Sequence, residues 1–82
     1  MDERLQRIFR EIFRNDDLIL KDDMTADDIE GWDSLQHINL IIALEKEFHI
    51  KFSLPEVKSL ANIGGLKKLI LEKMQFAVDE NK

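Results

Sequence analysis

With only 82 residues, a single small domain hides about 60% of its unfolded surface, too little to spare the several hundred Å³ that an enzyme pocket typically takes. Its 17 acidic and 12 basic residues, a formal net charge of −5, disfavour a nucleic-acid backbone and favour partners with basic surfaces. Cysteine is absent, which excludes disulfides, thiolate metal sites and a cysteine nucleophile. No apolar run approaches a membrane span, and the opening Met1-Asp2-Glu3-Arg4 is too charged for a signal peptide. The expectation is a free-standing cytoplasmic protein, monomeric, with no nucleic-acid or membrane partner.

Leu5, Ile8, Phe9, Ile12 and Phe13 repeat at the spacing of an amphipathic helix, predicted over roughly 3–14. Its outer face carries Arg4, Arg7, Arg10 and Arg14, either a solvated stripe or a docking patch. From Asn15 to Asp33 the pattern gives way to a long acidic loop with apolar anchors at Leu18, Leu20, Met24 and Ile29. Its carboxylates lack the alternating spacing, central glycine and closing glutamate of a calcium loop. No metal site is expected.

A second helix is predicted over roughly 34–48, with more apolar residues than one stripe needs. Leu40, Ile41, Leu44 and Phe48 fall on a core side. Leu35, Ile38 and Ile42 fall on or toward the other, to pack under the loop or to stay open for a partner. Ser53, Pro55 and Glu56 form a capping-box start for a short helix over 54–60, with Val57 and Leu60 turned inward. Asn62 caps a closing helix over 63–76, whose inward residues are Ile63, Leu66, Leu69, Ile70 and Met74. Gly64 and Gly65 weaken its first turn by about 1 kcal/mol each relative to Ala, as close approach of another helix would explain. Residues 79–82 are expected to fray. With no strand-like alternation and no repeat, the fold class is all-α, a small bundle of three main helices plus one short helix.

The junction Gly31-Trp32-Asp33-Ser34-Leu35-Gln36-His37 carries the chemistry. Asp33 suits the N-cap, which puts Ser34 at the first helical position. The first N–H groups of a helix lack internal partners and the dipole leaves partial positive charge there, so a phosphate ester on Ser34 would be welcome. A plain helix start accounts for Asp-Ser equally well. His37, one turn on, completes the parts of a hydrolase, but Asp33 is badly placed to orient it from its far side and no nucleophile elbow surrounds the serine. A partly buried, hydrogen-bonded His37 is the expectation, and no catalytic residue is assigned. His37 and His49 are too far apart for a two-histidine metal site. Trp32 is either packed on the bundle or in contact with cargo.

Gly31-Trp32-Asp33-Ser34-Leu35, with Ile38, Leu40, Ala43-Leu44-Glu45 and Glu47-Phe48 following, resembles the phosphopantetheine attachment region of acyl carrier proteins. The order and spacing of the elements are similar over nearly the whole chain, as for one carrier domain over 1–82. The resemblance implies 4'-phosphopantetheine on Ser34, added from coenzyme A by a phosphopantetheinyl transferase. Acyl or related acid cargo then rides on the arm as a thioester. It also implies that Asp33, Leu35, Ile38, Ile42, Glu45 and Glu47 meet acyl-loading and acyl-processing enzymes with basic docking surfaces, and that the protein is not an enzyme. Gln36, Asn39 and Lys46 stand where fatty-acid-synthesis carriers usually have acids, and with Trp32 and His37 the chain looks more like carriers of specialised pathways. Changed charges at a docking helix imply changed partners. An acyl chain folded back into the bundle would lie near Ile41, Leu44, Phe48, Val57 and Leu66. The alternative is a non-catalytic helical interaction module that docks through Leu35, Ile38 and Ile42 with no covalent cofactor. A bundle ordered by cations through its acidic loop is a further possibility.

Overall fold

The computed structural model describes residues 2–80, and side-chain surroundings as far as residue 75. Four α-helices follow in order: α1 (Asp2–Phe13), α2 (Ser34–Phe48), α3 (Leu54–Lys58) and α4 (Ile63–Glu80). The described residues contain no strand. Amphipathic stripes drive the assembly. Leu5, Ile8 and Phe9 of α1, Leu40, Leu44 and Phe48 of α2, and Ile63, Leu66 and Ile70 of α4 close on one another in a common core. Ile41 is buried as well. Leu69 and Met74 are half-buried, as are Val57 of α3 and Leu60 just after it.

α2 spans the expected 34–48, whereas α1, α3 and α4 end elsewhere than expected. α1 ends at Phe13 because Arg14 turns left-handed at φ 52°, and the N–H of Asn15 then bonds the Arg10 carbonyl at 3.0 Å. His49 terminates α2 in the same way at φ 55°, and the Ile50 N–H reaches the Glu45 carbonyl at 3.2 Å. Neither residue is the glycine that usually marks such an end. α3 stops at Lys58 rather than 60. α4 continues past 76 to Glu80, so Asp79 and Glu80 are helical, and the part of the frayed tail expected at Asn81 and Lys82 lies outside the described residues.

The stretch from Asn15 to Asp33 is long but tied down. Leu18 and Ile29 are buried, and Leu20 and Met24 are half-buried. Its backbone is held from both flanks: Arg10 Nε donates to the Leu18 carbonyl at 2.8 Å, and the Leu20 N–H donates to Gln6 Oε1 at 3.0 Å. From the other side the amides of Ile63 and Gly64 donate to the carbonyls of Met24 and Asp22 at 2.9 and 2.8 Å. A 3₁₀ turn over Ala26–Asp28, started by a reciprocal cap between Thr25 and Asp28, replaces part of the expected plain loop.

Gly64 has its reason here, and it is the loop rather than another helix. A Cβ at Gly64 would sit 3.2 Å from both the Cβ and the carbonyl oxygen of Asp22. Gly65 gives its N–H to Asn62 Oδ1 at 2.8 Å, which makes Asn62 the cap of α4.

Candidate functional site

Gly31 makes the turn that delivers the site. Its φ of +89° is open only to glycine at low cost, and a Cβ there would meet nothing within 4 Å. Asp33 then takes extended backbone and accepts the Gln36 N–H on Oδ1 at 2.8 Å, while its carbonyl accepts the His37 N–H at 2.9 Å. Capping therefore uses the third amide of α2 and leaves those of Ser34 and Leu35, which have no partner within a helix, at the surface. Ser34 is the first residue of this 15-residue helix and is exposed. Its hydroxyl stands at the positive end of the helix dipole, next to the amides left without helical partners. That donor set suits a phosphodiester.

Around Ser34 the first turns of α2 are apolar and open. Leu35, Ile38 and Ile42 are 67%, 55% and 45% exposed, so they do not pack under the loop. Leu54, at the start of α3, is another large exposed apolar residue, one the sequence reading missed. Its place at the first position after a capping serine hides which way it faces.

The two acidic residues expected on the partner face are already engaged. Glu45 Oε2 accepts the Phe52 N–H at 2.9 Å and so fixes the turn after α2. Glu47 lies 2.7 Å from Arg4 Nε and 3.2 Å from Arg7 Nη2, and its backbone carbonyl takes a second bond from Arg4 at 2.7 Å. The hydrogen bond from Arg4 is the main cause holding the Glu47 carboxyl below the ordinary carboxylate range; partial desolvation opposes it and Arg7 adds to it. The arginine stripe of α1 is thus structural: Arg4 pairs with Glu47 and lies over the Phe48 ring at 4.6 Å, and Arg10 secures the loop. Gln36 is structural too. Its Nε2 donates to the Ile12 carbonyl at 2.9 Å at the end of α1, a bond no carboxylate could make, while its Oε1 takes the Asn39 Nδ2–H at 2.8 Å.

Trp32 and His37 form the other side of the site. The Trp32 ring packs on Phe9 and Phe13 at centroid distances of 5.6 and 5.5 Å and stacks on His37 at 5.9 Å. Its indole N–H donates to His37 Nδ1 at 3.0 Å, and His37 Nε2 lies 3.2 Å from the Val57 carbonyl. An indole nitrogen only donates and a carbonyl only accepts, so the neutral imidazole carries its proton on Nε2. With both nitrogens occupied, His37 has no lone pair left for the Ser34 hydroxyl, and the geometry of a serine–histidine nucleophile is missing. Trp32, His37, Leu60, Asn62 and Leu66 border a cavity of about 180 Å³, below the size range of enzyme pockets. Of the five residues suggested for a folded-back acyl chain, Leu66 alone reaches that wall. Among the described residues no group of histidine, aspartate and glutamate is placed to hold a metal ion.

Residues 3–70 match the family model described as the phosphopantetheine attachment site. Among solved structures, the chain is similar to the holo acyl carrier protein from Geobacter metallireducens, determined in solution by NMR. The two are 40% identical with a TM-score of 0.89, over 95% of this chain and 90% of that one. No curated protein sequence matches the chain. It belongs to the phosphopantetheine attachment-site family, in the branch of acyl carrier proteins.

Proposed function

We propose that Ser34 Oγ is the point at which this acyl carrier protein holds its covalent 4'-phosphopantetheine. The carrier function and the cofactor follow from family membership. The choice of Ser34 is supported by one observation above the rest: an exposed hydroxyl at the first position of a long helix, beside amides with no internal partner. When bound, the group supplies a flexible arm ending in a thiol, on which acyl and related acid groups ride as thioesters. The chain's own work is to expose the hydroxyl, meet the phosphodiester charge with the Ser34 and Leu35 amides, and present a recognisable surface. It is a carrier and not a catalyst.

A phosphopantetheinyl transferase and acyl-processing enzymes are its partners. The reading extends to a single, monomeric, cytoplasmic carrier domain that meets basic docking surfaces through Asp33, Leu35, Ile38 and Ile42. Glu45 and Glu47 contribute by holding α2 in place, since their carboxylates are bonded within the molecule. No described helix is long and apolar enough to cross a membrane.

Intact mass after incubation with coenzyme A and a transferase tests the assignment. Wild type should gain the mass of one phosphopantetheine, and Ser34→Ala should gain none while keeping its helical circular dichroism. Modification that persists in Ser34→Ala overturns it.

A further inference from the structure

His37 joins three parts of the molecule. Trp32 ends the long loop, Val57 belongs to α3, and the imidazole on α2 bonds both. α3 has five residues, far too few to hold its place by helix propensity alone. Its described anchors besides His37 are the half-buried Val57 and the Glu56–Lys73 pair at 2.8 Å. The exposed Leu54 lies three residues before Val57, so the angle at which α3 meets α2 decides where Leu54 stands relative to Leu35 and Ile38.

We propose that His37, neutral and protonated on Nε2, is a positioning residue that locks α3 and the Trp32 end of the loop to the first turn of α2, fixing the surface a partner enzyme meets beside the attachment point. This rests on Ser34 being that point. The lock has a built-in polarity. Adding a proton to Nδ1 sets two N–H donors against each other across the 3.0 Å contact, so Trp32 must let go, while the bond to the Val57 carbonyl persists.

The elements packed around the ring carry charged groups that include Asp27 and Asp33 of the loop, Glu56 and Lys58 of α3, and Lys67 and Lys73 of α4. Asp33 is committed to the Gln36 amide, Glu56 and Lys73 to each other, and Lys67 to Asp22. Asp27 is the one charged residue on the wall of the cavity that His37 borders.

The test uses the full chain, ¹⁵N-labelled and unmodified, together with a transferase assay. The single tryptophan gives one indole resonance. Ring spectra should report the Nε2–H form of His37, with the Trp32 indole N–H bonded to its Nδ1. His37→Gln keeps one acceptor and one donor, and its modification rate should stay within about twofold of wild type. His37→Leu should lower kcat/KM by about tenfold, mainly through KM. Should the leucine variant unfold, Trp32→Phe keeps the ring contact without the N–H and should shift the α3 amides while still binding the transferase more weakly. An Nδ1–H ring, or leucine and phenylalanine variants modified as fast as wild type with unmoved α3 resonances, overturns the proposal. A wild-type chain that accepts no cofactor overturns the Ser34 assignment instead, and the spectra still decide the role of His37.

Discussion

The two halves of α2 share one helix and one buried stripe, yet their outer faces are used in opposite ways. In the first half Ser34 is exposed and its amide has no helical partner, and Leu35, Ile38 and Ile42 stay in solvent. In the second half Glu45 caps the following turn, Glu47 binds two arginines, and Phe48 is buried under Arg4. Apart from Gln36, His37 and Asn39, which are bonded within the molecule, the first half leaves its outer face to be covered by something else, and the second spends its carboxylates within the chain. Recognition and stability are therefore separable along a single helix.

Substitutions that respect the halves should split cleanly. The largest effect belongs to Leu35→Asp, which sets a charge in the open apolar face. Transferase kcat/KM should fall by more than tenfold, as for a loss of about 2 kcal/mol at an interface anchor, while the unfolding free energy from urea denaturation changes by no more than about 0.5 kcal/mol. Asp33→Ala lies at the boundary and should register in both assays: removing the cap costs about 1 kcal/mol of stability and frays the turn that carries the serine. In the second half His49→Gly should gain about 1 kcal/mol by relieving the left-handed backbone, with the modification rate unchanged. Arg4→Met removes the cation over Phe48, on the order of 0.5–1 kcal/mol, and the partner of Glu47; again the transferase should not notice. A rate loss in either of these last two variants would break the division.

The smallest effect is the pH profile of the melting temperature. Arg4 holds Glu47, and Lys73 holds Glu56, below the ordinary carboxylate range. Their stabilisation is complete above that range and is lost as the pH falls through the depressed folded values. Lys67, raised chiefly by its hydrogen bond to Asp22, contributes below the ordinary lysine value and is lost as the pH rises through the folded one. Arg4→Met should make the acid limb shallower and leave the alkaline limb alone.

What could be read from the sequence was local. Apolar spacing marked α1, α2 and α4, and Asp33, Ser53 and Asn62 marked helix starts because a cap acts across three residues. Thr25 and Asp28 offered the same signal, hidden in a run of aspartates. The stops at Arg14 and His49 gave none, because neither residue has the freedom of glycine. Long-range use of charge was equally hidden. Nothing in the spacing of Arg4 and Glu47, 43 residues apart, says that they meet. So the serine and its apolar neighbours stood out, whereas the occupation of Glu45 and Glu47 and the double bonding of His37 needed the assembled fold.

The carbonyls of Asp22 and Met24 wait for amides that lie some forty residues further along the chain. On a ribosome, the loop would emerge long before Ile63 and Gly64 exist to fasten it. The segment before α2 would be translated early and set late.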